Sequence, residues 1–191
     1  MIDFHNYISK LTGSKQVFKN YEKEYRKIVK KRFFNQGKLA DCIMQDSDVV
    51  TRPNLFIAYY VYPDLLSRRE WKKAFDNSLK ELWLGWGGLS SVSQKNSLFI
   101  SSYSGEDDIS YHNGDSWYYI NNLAAISMHR LDKRYYYDKI KKIINASKEE
   151  LLFSGLIGCS AEVSSAKQMK SEGCLSQAWS SATFIEFAYE K

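Results

Sequence analysis

The sequence predicts an all-α chain. Only two prolines, Pro53 and Pro63, interrupt 191 residues, apolar side chains recur at steps of three and four, and no stretch sustains the alternation of a half-buried strand. One domain over residues 1–191 is of ordinary size, and its 44% apolar content suffices for a real core, which excludes a disordered chain.

Taken in order, the elements number six. A first helix, about Lys15 to Phe34, lines up Val17, Tyr21, Tyr25 and Ile28 with Lys and Glu on the opposite face, and Gly37 lies just past its end. In "TRPNLFIAYYVYP", Pro53 sits near a first turn and Pro63 stops the chain, which leaves a short, almost wholly apolar helix that must be buried. "SRREWKKAFDNSLKELW" opens with a capping box, Ser67 and Glu70, and carries Trp71, Ala74, Phe75, Leu79, Leu82 and Trp83 on one face. A fourth helix is expected from about Asp115 to His129, a fifth from Asp132 to about Phe153, and a sixth from about Leu175 to Tyr189.

Two long polar stretches break this pattern: Gly85 to Gly114, and "SGLIGCSAEVSSAKQMKSEG" before the last helix. Loops of that length inside a compact domain are usually functional or disordered. Both follow an odd-numbered helix, as does the shorter "LADCIMQDSDVVTRPN". In antiparallel helical pairs such connections emerge at the same end, so all three should meet and bring Asp41, Asp46, Asp48, Arg52 and Asn54 to one rim.

Composition narrows the chemistry. The basic excess, 27 Lys and Arg against 22 Asp and Glu, is spread along the chain, and "YRKIVKKRFF" and "DKRYYYDKIKK" read as solvated helix faces, which argues against nucleic acid. No run of 18 apolar residues exists and "MIDFHNYISK" lacks a signal-peptide core, so no membrane contact and a cytoplasmic location are expected. Cys42, Cys159 and Cys174 are odd in number and lack ligand spacing; reduced thiols and no metal site are expected, and no dinucleotide or phosphate-loop fingerprint calls for a cofactor. The aromatic load, 14 Tyr, 10 Phe and 5 Trp, fills cores but also suits carbohydrate, whose ring faces stack while hydroxyls take bidentate partners. "YHNGDSWYYINN", Tyr111 to Asn122, concentrates both kinds of group.

In the same order and with similar spacing, "TRPNLFIAYYVYPDLLS", "GGLSSVS", "YHNGDSW" and "SAEVSS…EGCLSQAWSSATFIE" resemble the C-terminal glucosidase region of glycogen debranching enzymes, over about Lys15 to Tyr189. The resemblance implies an (α/α) toroid of twelve helices in six hairpins, of which this chain would supply the second half, about six helices. It also implies removal of the single α-1,6-linked glucose left at a trimmed branch of glycogen or limit dextrin. Glu162 in "SAEVSS" matches the family's catalytic carboxylate, the general base of an inverting reaction, in which two carboxyls stand about 6.5 to 9.5 Å apart. The family's proton donor, an aspartate in an upstream Gly-Arg-Asp motif, has no counterpart here, since no Arg-Asp dipeptide occurs. The half-toroid reading leaves apolar faces open on the first and last helices. It predicts association with the missing N-terminal half or self-dimerisation.

Around Glu162 the candidate sugar contacts are Tyr111, His112, Asn113, Asp115, Trp117, Arg52, Asn54, Trp86 and Gln177. His112 is read as a hydroxyl partner and Trp117 as a stacking face. Asp115 either caps the fourth helix, touches sugar or stands in for the missing acid, and the family often has a small hydroxylated or apolar residue there. Arg52 and Asn54 either fix the entry of the short helix or bind hydroxyls. Trp83 and Trp86 are platforms for an outer glucan chain, Gln177 and Ser180 support the base, Glu172 faces the last helix's N-terminus, and Trp179 packs in the core. Two rivals stand beside the glucosidase: a glucan-binding module without catalysis, and a helical interaction protein whose aromatics are core.

Overall fold

The computed structural model describes residues 1–43, 50–105 and 108–190, and it is helical as expected. Its described α-helices are α1 (Ile2–Thr12), α2 (Lys19–Phe33), α3 (Asn54–Val61), α4 (Arg68–Leu82), α5 (Tyr118–Asp132), α6 (Tyr137–Phe153) and α7 (Ala178–Ala188). A 3-10 turn spans Pro63–Leu65, and four two-residue strands, β1 (Phe34–Asn35), β2 (Lys38–Leu39), β3 (Ser116–Trp117) and β4 (Val163–Ser164), pair as β1–β2 and β3–β4. The architecture agrees with a piece of an (α/α) toroid.

Among the described residues six expected helices become seven, because Ile2–Thr12, ahead of the first expected helix, form α1. Phe4, Ile8 and Leu11 stand at helical spacing, and Gly13, at φ 68, ends the helix by returning its N–H to Ser9. α1 leans on α2 through Asn6, whose amide donates to Glu22 at 2.8 Å, and through the edge of His5 on Phe18. α2 starts at Lys19, four residues later than expected. Gly37 does not cap it but turns the β1–β2 hairpin: Gln36 and Gly37 both have positive φ, 47° and 78°, as a two-residue hairpin turn requires.

The body of the molecule follows the apolar periodicity. α4 carries its capping box, with Ser67 and Glu70 satisfying each other's backbone N–H groups, and buries Trp71, Ala74, Phe75, Leu79 and Leu82. The Phe75 ring is enclosed by those of Phe56 (4.6 Å), Tyr59 (5.4 Å), Trp71 (5.9 Å) and Tyr136 (6.2 Å). α3 buries Leu55, Phe56 and Tyr59 but not its whole circumference, since Val61 is 67% exposed. α5 is buried almost all round and packs against α3, α6 and α7, which makes it the central helix.

The edges differ. α2 has no buried residue, and its stripe of Tyr21, Tyr25 and Ile28, continuing Val17, is at least half exposed. On α7 only Ser180 is buried, while Trp179 and Ile185 are each 56% exposed. Apolar faces therefore lie open on α2 and α7. No described helix is long and apolar enough to cross a membrane.

Candidate active site

The three loops meet at one end of the helices, as the parity of their positions predicts. Ser93 donates its N–H to Thr51 (2.9 Å), Lys167 donates to the carbonyl of Ser101 (2.7 Å), and the Trp86 indole donates to Ala166 (3.2 Å). Asp41, Arg52 and Asn54 belong to this rim; Asp46 and Asp48, expected beside them, lie outside the described residues.

Glu162 sits where the loops converge. The β3–β4 ladder sets Trp117 opposite Val163, and Tyr118 donates its N–H to the carbonyl of Glu162 at 3.2 Å. On the other side, Glu162 donates to Cys174 (2.8 Å) and Val163 bridges to Glu172, so Glu162 lies between two flanking backbone segments. Its partly buried carboxylate accepts from the Gln177 amide on Oε1 (3.1 Å) and from the Cys174 N–H on Oε2 (3.2 Å). Gly173 makes this approach possible: at φ +65 it turns the chain, and a Cβ there would come within 2.8 Å of Glu162 Oε2. Burial first, and then the nearby Glu162 carboxylate, push the pKa of the Tyr111 phenol well above the usual phenol value.

Aromatic rings cluster on the loop and strand next to the Glu162 segment. His112, exposed, stacks on Trp117 at 5.5 Å and 12°, and Tyr111 meets the Trp117 ring at 4.4 Å. The Trp117 indole donates to the Tyr111 carbonyl (2.9 Å), which ties the loop to β3. The series continues from Trp117 to Tyr119 (5.9 Å, edge-on) and from Tyr119 to Trp179 (5.5 Å, 22°). Trp179 is thus an exposed ring in line with the site and not the core residue expected; Tyr119, two residues beyond Trp117 on the first turn of α5, went unremarked in the sequence. The signal for both was a shared position just inside helices that follow the long loops.

Other expected contacts are placed differently. Asp115 is fully buried, so it does not face a sugar in this structure, and it does not cap α5 either, whose N-cap is Trp117. Its carboxylate accepts from Ser110 (2.7 Å), and burial raises its pKa to about 6. Arg52 is used as a loop clamp: its guanidinium donates to the carbonyls of Ser91 (3.0 Å) and His112 and faces Asp41. Asn54 donates to Asp41 at 2.7 Å, which fixes the entry of α3. Asn113 bonds within its own turn, to Ile109, and its carbonyl accepts from Ile100. Trp86 is a strut between two loops, and Trp83 lies under the Lys139 ammonium (4.2 Å), so neither is an open platform. Of the two expected supports, Gln177 touches Glu162 while Ser180 is buried and accepts from Asn122 through its carbonyl. Glu172 pairs with Lys170 at 2.9 Å.

The rest of "YHNGDSWYYINN" is scaffold. Asn121 accepts from Leu89 N–H (3.0 Å) and donates to Ser116 Oγ (3.0 Å), while Asn122 links Ser147 to Ser180. Both are buried. The stretch therefore divides: Tyr111, His112 and Trp117 reach the site, and the amides beneath hold the loops together.

A carboxylate held by N–H donors, with aromatic rings on the neighbouring segments, offers the chemistry that glycosides require, a proton acceptor near surfaces that stack on sugar rings. Comparison with known families agrees with this class. A family model described as amylo-alpha-1,6-glucosidase matches residues 2–186, and the chain belongs to that family of glycoside hydrolases. No curated protein matches the chain.

Proposed function

We propose that this chain contributes the general base and one wall of the glucose site to an inverting amylo-alpha-1,6-glucosidase that trims branch stubs of glycogen or limit dextrin. The observation that carries the reading is the bed of Glu162: the Gln177 amide and the Cys174 N–H each donate to one of its oxygens, and the Tyr111 phenol is close enough to feel its charge. These donors fix the carboxylate in direction, as a base that must align one water with an anomeric carbon requires. Trp117, with His112 stacked on it, supplies the sugar-facing surface, and Tyr119 and Trp179 extend it.

The general acid comes from polypeptide outside this sequence. Asp115 and Glu150 are fully buried and Glu172 is held by Lys170, so three carboxyls around the same loops are engaged in structure. The open apolar faces of α2 and α7 are where the acid-bearing half, or a second copy, would pack. The test is glucose release from a phosphorylase limit dextrin by the chain alone and after mixing with the acid-bearing region of a debranching glucosidase. Turnover only in the mixture supports the reading. Full turnover by the lone chain would place the acid within it and direct attention to Asp108, whose charge reaches Tyr111. Dextrin binding with no turnover in either case would leave a glucan-binding module.

A further inference from the structure

The fully buried carboxylate of Glu150 has no part in the site described above, and its location is costly. It lies in the last turn of α6, where the helix presents unpaired carbonyls and disfavours negative charge. Burial opposes the charged form as well, and it raises the pKa of the group. Apolar side chains would fill such a position more simply.

What Glu150 does there is hold the loop of Glu162 from beneath. A single oxygen, Oε1, accepts the N–H of Ala161 at 2.9 Å and the hydroxyl of Ser171 at 3.0 Å. Ala161 directly precedes Glu162, and Ser171 directly precedes Glu172, which bridges to Val163 on the opposite leg. The two contacts therefore grip both legs of the 160–174 loop at the level of Glu162. Gly155, at φ +52, admits this close approach, since a Cβ there would lie 2.6 Å from Ser171 Oγ. Oε2 is buried and without a described partner, and Tyr118, whose phenol is pushed up by burial first and then by the Glu150 charge, donates its N–H to the Glu162 carbonyl.

We propose that Glu150 is a positioning residue that sets the direction of the Glu162 carboxylate by anchoring Ala161 and Ser171. This deepens the glucosidase reading and takes Glu162 as the base from it. Its test needs neither substrate nor the acid-bearing half. The chain is labelled with 13C at glutamate carboxyls, the Glu162 signal is assigned by its loss in Glu162→Gln, and its chemical shift is followed together with amide exchange at Ala161. In Glu150→Ala the Glu162 signal is expected to move, with Ala161 exchanging at least about tenfold faster while amides of α4 keep their protection. Glu150→Gln, which retains an oxygen for both donors, is expected to restore wild-type behaviour at both positions. Should Glu150→Ala fail to fold, Ser171→Ala removes one grip alone and is expected to move the Glu162 signal in part. An unmoved Glu162 signal in Glu150→Ala, or in Ser171→Ala if the former does not fold, overturns the positioning role and leaves the glucosidase reading standing. Glu162→Gln with undiminished glucose release from the mixture would do the reverse.

Discussion

The helix body and the loop layer are built from different materials. In the body, Phe56, Tyr59, Trp71, Phe75 and Tyr136 interlock as rings, and α3, α4, α5 and α6 share one cluster of buried apolar side chains. In the layer above, Ser110, Asp115, Ser116, Asn121 and Glu150 are just as buried, yet they cohere through hydrogen bonds to backbone and to one another. Packing of the first kind tolerates approximate shapes, whereas a polar layer works only when each buried group keeps its partner. The body thus stabilises, and the layer specifies where Glu162 and the aromatic faces point.

Three substitutions probe that division, in falling order of effect. Phe75→Ala, which empties the centre of the ring cluster, is expected to lower global stability by about 3–5 kcal/mol, read as a fall in the urea midpoint. The cost should be shared by all amides protected through global unfolding. Asn121→Ala removes the nearer of the two side-chain acceptors of the buried Leu89 N–H, together with the donor to Ser116 Oγ, and is expected to cost about 1–3 kcal/mol. Here exchange should accelerate first in the loop beginning at Gly85, ahead of α4; uniform acceleration would mean that the layer is not a separate unit.

The smallest effect concerns pH. Asp115 titrates at about 6 in the folded chain against about 3.9 for an unperturbed aspartate, so between those values the folded state binds more protons than the unfolded state. Stability contributed by this group is therefore present at low pH and lost as pH rises through about 6. Asp115→Asn removes the penalty, and a gain on the order of 1–2 kcal/mol at pH 7.5, shrinking toward pH 4, is expected from urea midpoints at both values. A loss of stability at pH 7.5 would show that the charged carboxylate is itself needed in the layer.

The same division decides how much the sequence discloses. α4 is legible down to its cap because Ser67, Glu70 and the stripe from Trp71 to Leu82 agree with one another locally. The short interval between Pro53 and Pro63 likewise reads as α3, although composition could not tell that Val61 would stay outside. That the long loops converge follows from helix order alone. Which of their polar residues face outward does not, because Asp115 and His112, three positions apart, differ only in what the folded chain places over them. Glu150 was invisible for a related reason: in "NASKEELLF" it looks like any solvated glutamate, and only the distant Ala161 and Ser171 give it a task. Trp179 misleads in the opposite sense, since an apolar residue on an edge helix has core chemistry without a core to enter.

Chemical rescue of a Glu162→Ala variant addresses the central claim most directly. With the acid-bearing region supplied, the variant should release glucose about 100- to 10,000-fold more slowly than the unaltered chain. Added azide, taking the place of the activated water, should then restore cleavage and yield the β-glucosyl azide, the product of inversion at an α-linked stub. Activity within tenfold of the unaltered chain without azide, or an α-configured product, would contradict the assignment of Glu162 as the inverting base.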